Sequence, residues 1–292
     1  MEKIKFIIDT AGDIPDEDLR EYNIDMPSVP ITVDGESYFE RKSFTIQEFY
    51  DILAKSKEIP ATSRVPAADF VSCYKGAFWQ NYTDIIVVTI NAGGSGTYES
   101  AAMAREQFFQ EMPNAKETMR IHLVDSKTYT MAFGLPVVEG AKMARAGKSV
   151  DEILLYLHDF FDRVEVYLAC WTLEYAKKSG RISAAAAFVG EVLGLRPVIS
   201  LIDGETKIVD RVRGEKQLIP RIVKCYEDNC DDRSAPVFVA YGAVDEYGQA
   251  LKAALEKKIG RSIPMHRAGA SIVINAGPRI AAVVFCGKKR NA

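Results

Sequence analysis

Seven consecutive residues, Asn91-Ala92-Gly93-Gly94-Ser95-Gly96-Thr97, combine an amide, three glycines and two hydroxyls. They follow the apolar run Ile85, Ile86, Val87, Val88, Thr89, Ile90. They precede an amphipathic pattern with Tyr98, Ala101, Ala102 and Phe108 at helical spacing. A short β-branched run of this kind predicts a strand buried on both faces, as in a parallel sheet. Strand, glycine loop, helix is a geometry that can point free backbone N–H groups at an anion. The stretch therefore predicts a seat for an acidic head group, with Ser95, Thr97 and Tyr98 adding hydroxyls. The same string also makes a tight strand-to-helix turn that holds nothing. It is neither a GxGxxG nor a Walker loop, so it carries no argument for a nucleotide.

Thr62 and Ser63 are a second pair of short hydroxyls, in the proline-bracketed stretch Pro60-Ala61-Thr62-Ser63-Arg64-Val65-Pro66. Prolines limit the freedom of such a stretch, which reads as an exposed loop. Its hydroxyls can donate to a carboxylate or simply stabilise a turn. Asp9 and Asp125 each end a predicted strand and could meet at one sheet edge, where α/β proteins bind ligands, and there hold a cation. Capping of a loop by the Asp side chain is the commoner use of that position. Arg181, in Ser179-Gly180-Arg181-Ile182-Ser183, can pair with a phosphate or a partner's carboxylate, or stand solvated.

Other chemistries find little support. His122, His158 and His266 are dispersed, and the five cysteines are scattered without a CxxC, so neither a metal centre nor a disulfide framework is expected. There is no GxSxG of the α/β-hydrolase type. A net charge of −3 without a basic, aromatic-interleaved stripe argues against nucleic acid. MEKIKFIIDT reads as a first strand and not as a leader peptide, and no apolar run is long enough to span a bilayer. A cytoplasmic protein is expected.

These residues need elements to position them. A strand from Lys3 to Ile8 leads to Asp9, and Pro15 with Asp16, Glu17 and Asp18 starts a helix. Met26 to Val33 is a strand, and Asp34-Gly35 a hairpin turn. Thr45 and Glu48 suggest a capping box for a helix to about Ser56, and a helix follows Pro66 with Phe70, Tyr74, Ala77 and Phe78 on one face. Arg120 to Val124 is a strand; a long helix runs to about Arg145. Ser149 and Glu152 open another, from Val150 to about Phe161. Such β-α alternation predicts a mostly parallel sheet flanked by helices.

After about residue 163 the texture changes. Strands are predicted at Glu165–Cys170, Pro197–Ile202, Thr206–Val212, Pro236–Tyr241, Ser271–Ile274 and Ile280–Cys286, with Asp203-Gly204 as a second hairpin turn. Helices fall at Leu173–Ser179, from Ala184 to Gly194, at Glu215–Glu227 and at Asp245–Lys258. Adjacent strands joined by a hairpin imply a mixed sheet. The expected organisation is therefore α/β with two domains, an N-terminal one over 1–163 and a C-terminal mixed one over 164–292.

Several of these pieces, in order, resemble the DegV family of lipid-binding proteins, which includes the binding subunits of bacterial fatty-acid kinase. Asp9-Thr10-Ala11-Gly12-Asp13-Ile14-Pro15 is similar to its opening D-S-T-A-D-L-P. Thr62-Ser63 with Pro66 is similar to T-S-Q-P-S, and Ser95-Gly96-Thr97-Tyr98-Glu99-Ser100-Ala101 to L-S-G-T-Y-Q-S-A. Val124-Asp125-Ser126-Lys127 is similar to I-D-S-K. Leu173-Glu174-Tyr175 with Gly180-Arg181-Ile182 is similar to L-x-Y-L-K-K-G-G-R-I. Leu195-Arg196-Pro197-Val198-Ile199 resembles L-x-I-K-P-I-L, and Arg211, Arg213 and Gly214 resemble K-x-R-G.

The resemblance implies two α/β domains with one long-chain fatty acid buried between them and no other cofactor. It implies a protein that does not itself catalyse and hands the carboxyl group to a separate kinase. A monomer that makes transient contact with membrane surfaces is expected. By the same resemblance Thr62, Ser63, Asn91, Ala92, Gly93, Ser95, Gly96, Thr97 and Asn275 would meet the ligand, and Arg181 and Arg213 a partner or a phosphate. Two departures stand out. Asn91, Ala92 and Gly94 replace the family's two serines and leucine, so a hydroxyl is missing at Ala92. Asn275-Ala276-Gly277-Pro278-Arg279 replaces H-x-G-P-G, so an amide stands for an imidazole. Alternatives are a phosphotransferase-like enzyme acting on a small substrate, and a carrier of a different acidic amphiphile.

Overall fold

The computed structural model describes residues 2–189 and 194–288. Two compact units emerge from its contacts: residues 1–45 with 61–161, and residues 46–60 with 162–292. The excursion 46–60, which the sequence reading places in the first domain, thus clusters with the second.

The first unit opens with β1 (Ile4–Ile8), a short 3-10 turn at Thr10–Gly12 and α1 (Asp16–Tyr22). β2 (Pro30–Val33) and β3 (Glu36–Phe39) form a hairpin across Asp34 and Gly35, whose φ values of 49° and 89° suit a primed turn. α2 (Ile46–Lys55) is the excursion into the second unit. The chain returns through β4 (Ala61–Thr62), α3 (Ala67–Trp79), β5 (Asp84–Thr89), α4 (Thr97–Glu111), β6 (Arg120–Asp125), α5 (Met131–Arg145) and α6 (Val150–Phe161). A reciprocal capping box starts α6: Ser149 N–H donates to Glu152 Oε2 at 2.9 Å, and Glu152 N–H to Ser149 Oγ at 3.3 Å.

β1, β5 and β6 form a parallel sheet with β5 in the middle, and every residue of β5 is buried. A strand covered on both faces has no solvent side, which is why its sequence is a continuous apolar run. Phe70, Tyr74, Ala101, Ala104 and Phe108 from α3 and α4 pack against Ile85 and Val87. A second, antiparallel sheet runs β3-β2-β4. The stretch Pro60–Pro66, expected as a loop, therefore contains a two-residue edge strand in register with Ile31 and Thr32.

The second unit contains β7 (Val164–Cys170), α7 (Glu174–Ser179), α8 (Ser183–Ala186), β8 (Leu195–Ile202), β9 (Glu205–Arg213), α9 (Leu218–Asn229), β10 (Val237–Tyr241), α10 (Asp245–Ile259), β11 (Met265–Arg267), α11 (Ala270–Ala276) and β12 (Ile280–Cys286). One mixed sheet has the order β11-β10-β12-β7-β8-β9, antiparallel except for β10 with β11. β7, β10 and β12 are buried at every position, whereas the edge strand β9 has no fully buried residue and alternates exposed with half-buried ones. The predicted helix from Ala184 to Gly194 is helical over α8; residues 190–193 lie outside the described residues.

One element changes type. Ser271–Ile274, expected as a strand, lies inside helix α11. Its buried residues Ala270, Ser271, Val273 and Ile274 recur at helical spacing. A short apolar run does not distinguish the two periods, and the small β11, absent from the sequence reading, takes the strand place beside β10.

Candidate functional site

The C-terminal ends of β1, β5 and β6 lie side by side, so their loops start from one edge of the parallel sheet. Two carboxylates hold the central loop there. Asp9 accepts from Ile90 N–H at 2.8 Å and from Ala11 N–H at 3.1 Å. Asp125 accepts from Ala92 N–H and from Lys127 N–H, both at 3.0 Å. Both act as loop caps, the commoner of the two roles considered for them.

Asn91, 3% exposed, organises the turn. Its carbonyl accepts from Gly94 N–H at 3.0 Å and Ser95 N–H at 3.1 Å, and its side-chain Oδ1 accepts from Gly93 N–H at 3.1 Å. Its Nδ2 donates to the Tyr129 hydroxyl at 3.0 Å. That hydroxyl lies over Gly94: a Cβ there would sit 2.2 Å from it. The expected cradle of free amides is thereby corrected, because the N–H groups of Gly93, Gly94 and Ser95 are satisfied inside the loop. Thr97 N–H donates to Ser95 Oγ at 3.3 Å. The N–H groups of Gly96, Tyr98 and Glu99, at the start of α4, hydrogen-bond to no described residue.

The proline-bracketed segment lies against this loop. Val65 N–H donates to Thr97 Oγ1 at 3.3 Å, and Thr97 Oγ1 and Ser95 Oγ are 2.9 Å apart. Ser63 N–H donates to the Pro30 carbonyl at 3.0 Å, which keeps the segment extended beside β2. Thr62 is half-buried and Ser63 exposed. Asn91, Gly93, Ser95, Gly96, Thr97, Thr62 and Ser63 thus belong to one neighbourhood, with Ala92 half-buried at its inner side.

Beside it, Asp9 is fully buried. Burial pushes its carboxyl up to about 7 against the hydrogen bonds from Ile90 and Ala11, and the charge of Glu40 adds to the rise. Glu40, also buried, accepts from Thr10 Oγ1 at 2.7 Å. At the opposite end of β5, Asp84 accepts from His122 at 3.0 Å and from Arg120 at 2.8 Å. Burial raises its carboxyl, and the hydrogen bonds from His122, Arg120 and Thr83 outweigh this, leaving it below the ordinary range. His122 therefore serves a structural hydrogen bond to a buried carboxylate.

Three further residues from the sequence reading lie in the second unit. Asn275 is half-buried in the last turn of α11, and its Nδ2 donates to the Ser271 carbonyl at 2.7 Å. Ser179 Oγ donates to the Asn275 carbonyl at 2.9 Å, and Arg181 Nη1 donates to the Ser179 carbonyl at 2.8 Å. Asn275 and Arg181 are thus joined through Ser179. Arg213 ends β9, exposed, and makes no contact with that group among the described residues. No group of three or more His, Cys, Asp or Glu suited to a metal occurs among the described residues, and no described helix is long and apolar enough to cross a membrane.

Two residues of the site escape a reading of spacing alone. Tyr129 reaches Gly94 from another strand end, and Arg64 lies across Gly96. The glycines were a signal that something approaches closely, without indicating what.

The architecture, a parallel sheet and a mixed sheet in an α/β chain with this loop at the strand ends, defines a class. A family model described as "Uncharacterised protein, DegV family" matches residues 3–288, and the chain belongs to the DegV family. A DegV domain-containing protein of Caldanaerobacter subterraneus subsp. tengcongensis is 30% identical over 288 residues, 98% of this chain and 99% of that protein. Among solved structures, the fold is similar to that of a fatty acid binding DegV family protein from Streptococcus agalactiae. The TM-score is 0.87 at 23% identity, covering 99% of this chain and 100% of the other. It is similar also to a stearic acid-binding protein from Eubacterium ventriosum, with TM-score 0.85 at 22% identity and 98% of each chain covered.

Proposed function

We propose that this protein binds one long-chain fatty acid and presents its carboxyl group to a separate kinase, without catalysing the transfer itself. The carrying observation is the Val65–Thr97 hydrogen bond. It fastens the segment that carries Thr62 and Ser63 to the loop of Ser95, Gly96 and Thr97, and the N–H groups of Gly96, Tyr98 and Glu99 at the start of α4 meet no described acceptor; these features support a head-group seat there. Relatives of the same fold described as fatty-acid-binding support the ligand class. A carboxylate taken out of water needs such donors, or it binds as the neutral acid.

The acyl chain provides the affinity. Burying ~14 methylenes at ~0.8 kcal/mol each gives roughly 11 kcal/mol before ordering costs. Arg181 and Arg213, exposed cations of the second unit, are assigned to the partner kinase or to the phosphate. The setting is cytoplasmic.

Denaturing extraction of the purified protein followed by mass spectrometry is the direct test. A long-chain acid in about equimolar amount is expected. Absence of lipid together with no binding of added stearate would overturn the reading. Magnesium-dependent ATP turnover by the isolated chain would overturn its non-catalytic part.

A further inference from the structure

Arg64 has a fixed backbone and an unpaired charge. On one side of it, Ser63 N–H is held by the Pro30 carbonyl; on the other, Val65 N–H is held by Thr97 Oγ1. The side chain runs across Gly96. A Cβ on Gly96 would meet Arg64 Cδ at 2.9 Å, Nη1 at 3.4 Å and Cβ at 3.8 Å. Gly96 has an ordinary φ of −76°, so its backbone does not require glycine. The missing side chain leaves the space in which the arginine lies. Arg64 is exposed, and its guanidinium makes no hydrogen bond or ion pair with any described residue. By contrast Arg41, Arg120, Arg145, Arg221 and Arg267 all pair with carboxylates.

We infer that Arg64 is the positioning cation of the head-group seat. Its guanidinium pairs with the carboxylate of a bound acyl ligand, and more strongly with the doubly charged head of an acyl phosphate. The inference rests on the lipid-binding reading above. A guanidinium stays charged at every physiological pH and presents paired N–H donors that match two oxygens of a carboxylate or phosphate. The hydroxyls of Ser95 and Thr97 are already engaged with each other and with Val65, so they offer direction but no charge. A cation over Gly96 supplies the counter-charge and favours whichever ligand carries more negative charge.

The test is isothermal titration of the full chain and of Arg64→Gln and Arg64→Lys with three probes: stearate, octadecylphosphonate and 1-octadecanol. All share one acyl length and differ in head-group charge. Thermal melting of the variants should match the parent, because Arg64 holds no other residue. Arg64→Gln should lower stearate affinity roughly tenfold and phosphonate affinity further, with octadecanol unchanged. Arg64→Lys should restore part of the loss, and the salt dependence of stearate binding should flatten in Arg64→Gln. Equal affinities of parent and Arg64→Gln for all three probes would overturn the inference and leave the lipid-binding reading standing. So would an equal loss for the alcohol and the anions. A parent that binds none of the three would bring down both.

Discussion

The backbone N–H of Val65 donates to the side-chain hydroxyl of Thr97 at 3.3 Å, joining residues 32 positions apart. Both are fully buried. One threonine thereby fastens the segment that carries Thr62 and Ser63 to the loop that carries Ser95 and Gly96. Thr97→Val keeps the shape but leaves a buried N–H without its acceptor, which costs about 1–3 kcal/mol. The expected result is a lower melting temperature together with weaker fatty-acid binding, and near-parent values for Thr97→Ser. A Thr97→Val protein as stable as the parent would mean that the two segments hold together without this bond.

Thr62→Val should behave differently. Thr62 is half-buried on edge strand β4, opposite Ile31, where a β-branched residue suits the strand. Valine keeps that conformation and removes the hydroxyl. The protein should still fold, because the register of β4 with β2 is carried by the backbone. Fatty-acid affinity should fall by about 1.5–3 kcal/mol, the scale of a hydrogen bond to a charged group. A titration giving the parent's affinity would remove Thr62 from the head group.

The buried Asp9 makes stability depend on pH in a defined direction. Its folded pKa, raised to about 7 by burial, lies above the ordinary value of 3.8. Between those values the folded chain binds more protons than the unfolded one, so this group's contribution to stability falls as pH rises from about 4 to 7. Above about 7 both states are ionised and the full cost of the buried charge persists. Asp9→Asn keeps an acceptor for the Ile90 or Ala11 N–H and removes the titration. Denaturant unfolding at pH 5 and pH 8 should show a smaller pH difference in Asp9→Asn than in the parent. An unchanged difference would place the titration elsewhere.

Much of this was legible in the sequence, and the reasons differ between elements. β5 announced itself because a strand covered on both faces must be apolar throughout. The hairpins at Asp34-Gly35 and Asp203-Gly204 were legible because their positive φ values restrict residue choice. α11 was misread because four apolar or small residues satisfy either period when both sides are covered. Thr62, Ser63, Ser95 and Thr97 could be singled out by type, but their meeting depends on the sheet that returns the chain to β2 before α3. The closed amide network around Asn91 was not legible at all. Which N–H groups a glycine loop leaves free depends on one side chain's rotamer, and spacing does not encode that.

The contact between Tyr129 and Gly94 offers a test of how tightly the loop is built. The Tyr129 hydroxyl accepts from Asn91 Nδ2 at 3.0 Å and would lie 2.2 Å from a Cβ on Gly94, with Cζ at 3.2 Å. Gly94 does not have a positive φ, so Gly94→Ala is permitted by its backbone, and the atoms nearest the new methyl belong to the tyrosine. The methyl must push the phenol away, weakening the Asn91 side chain that also holds Gly93 N–H. A loss of about 1–3 kcal/mol is expected for Gly94→Ala, as for other forced overpacking. Tyr129→Phe should cost about 1 kcal/mol or more, since it deletes the hydrogen bond from Asn91 Nδ2. In the double variant the methyl no longer meets an oxygen, so the combined loss should be smaller than the sum of the single losses by at least about 0.5 kcal/mol, as for residues in contact. Chemical denaturation of the four proteins measures this coupling. Strict additivity would show that the phenol moves aside freely and does not organise the loop.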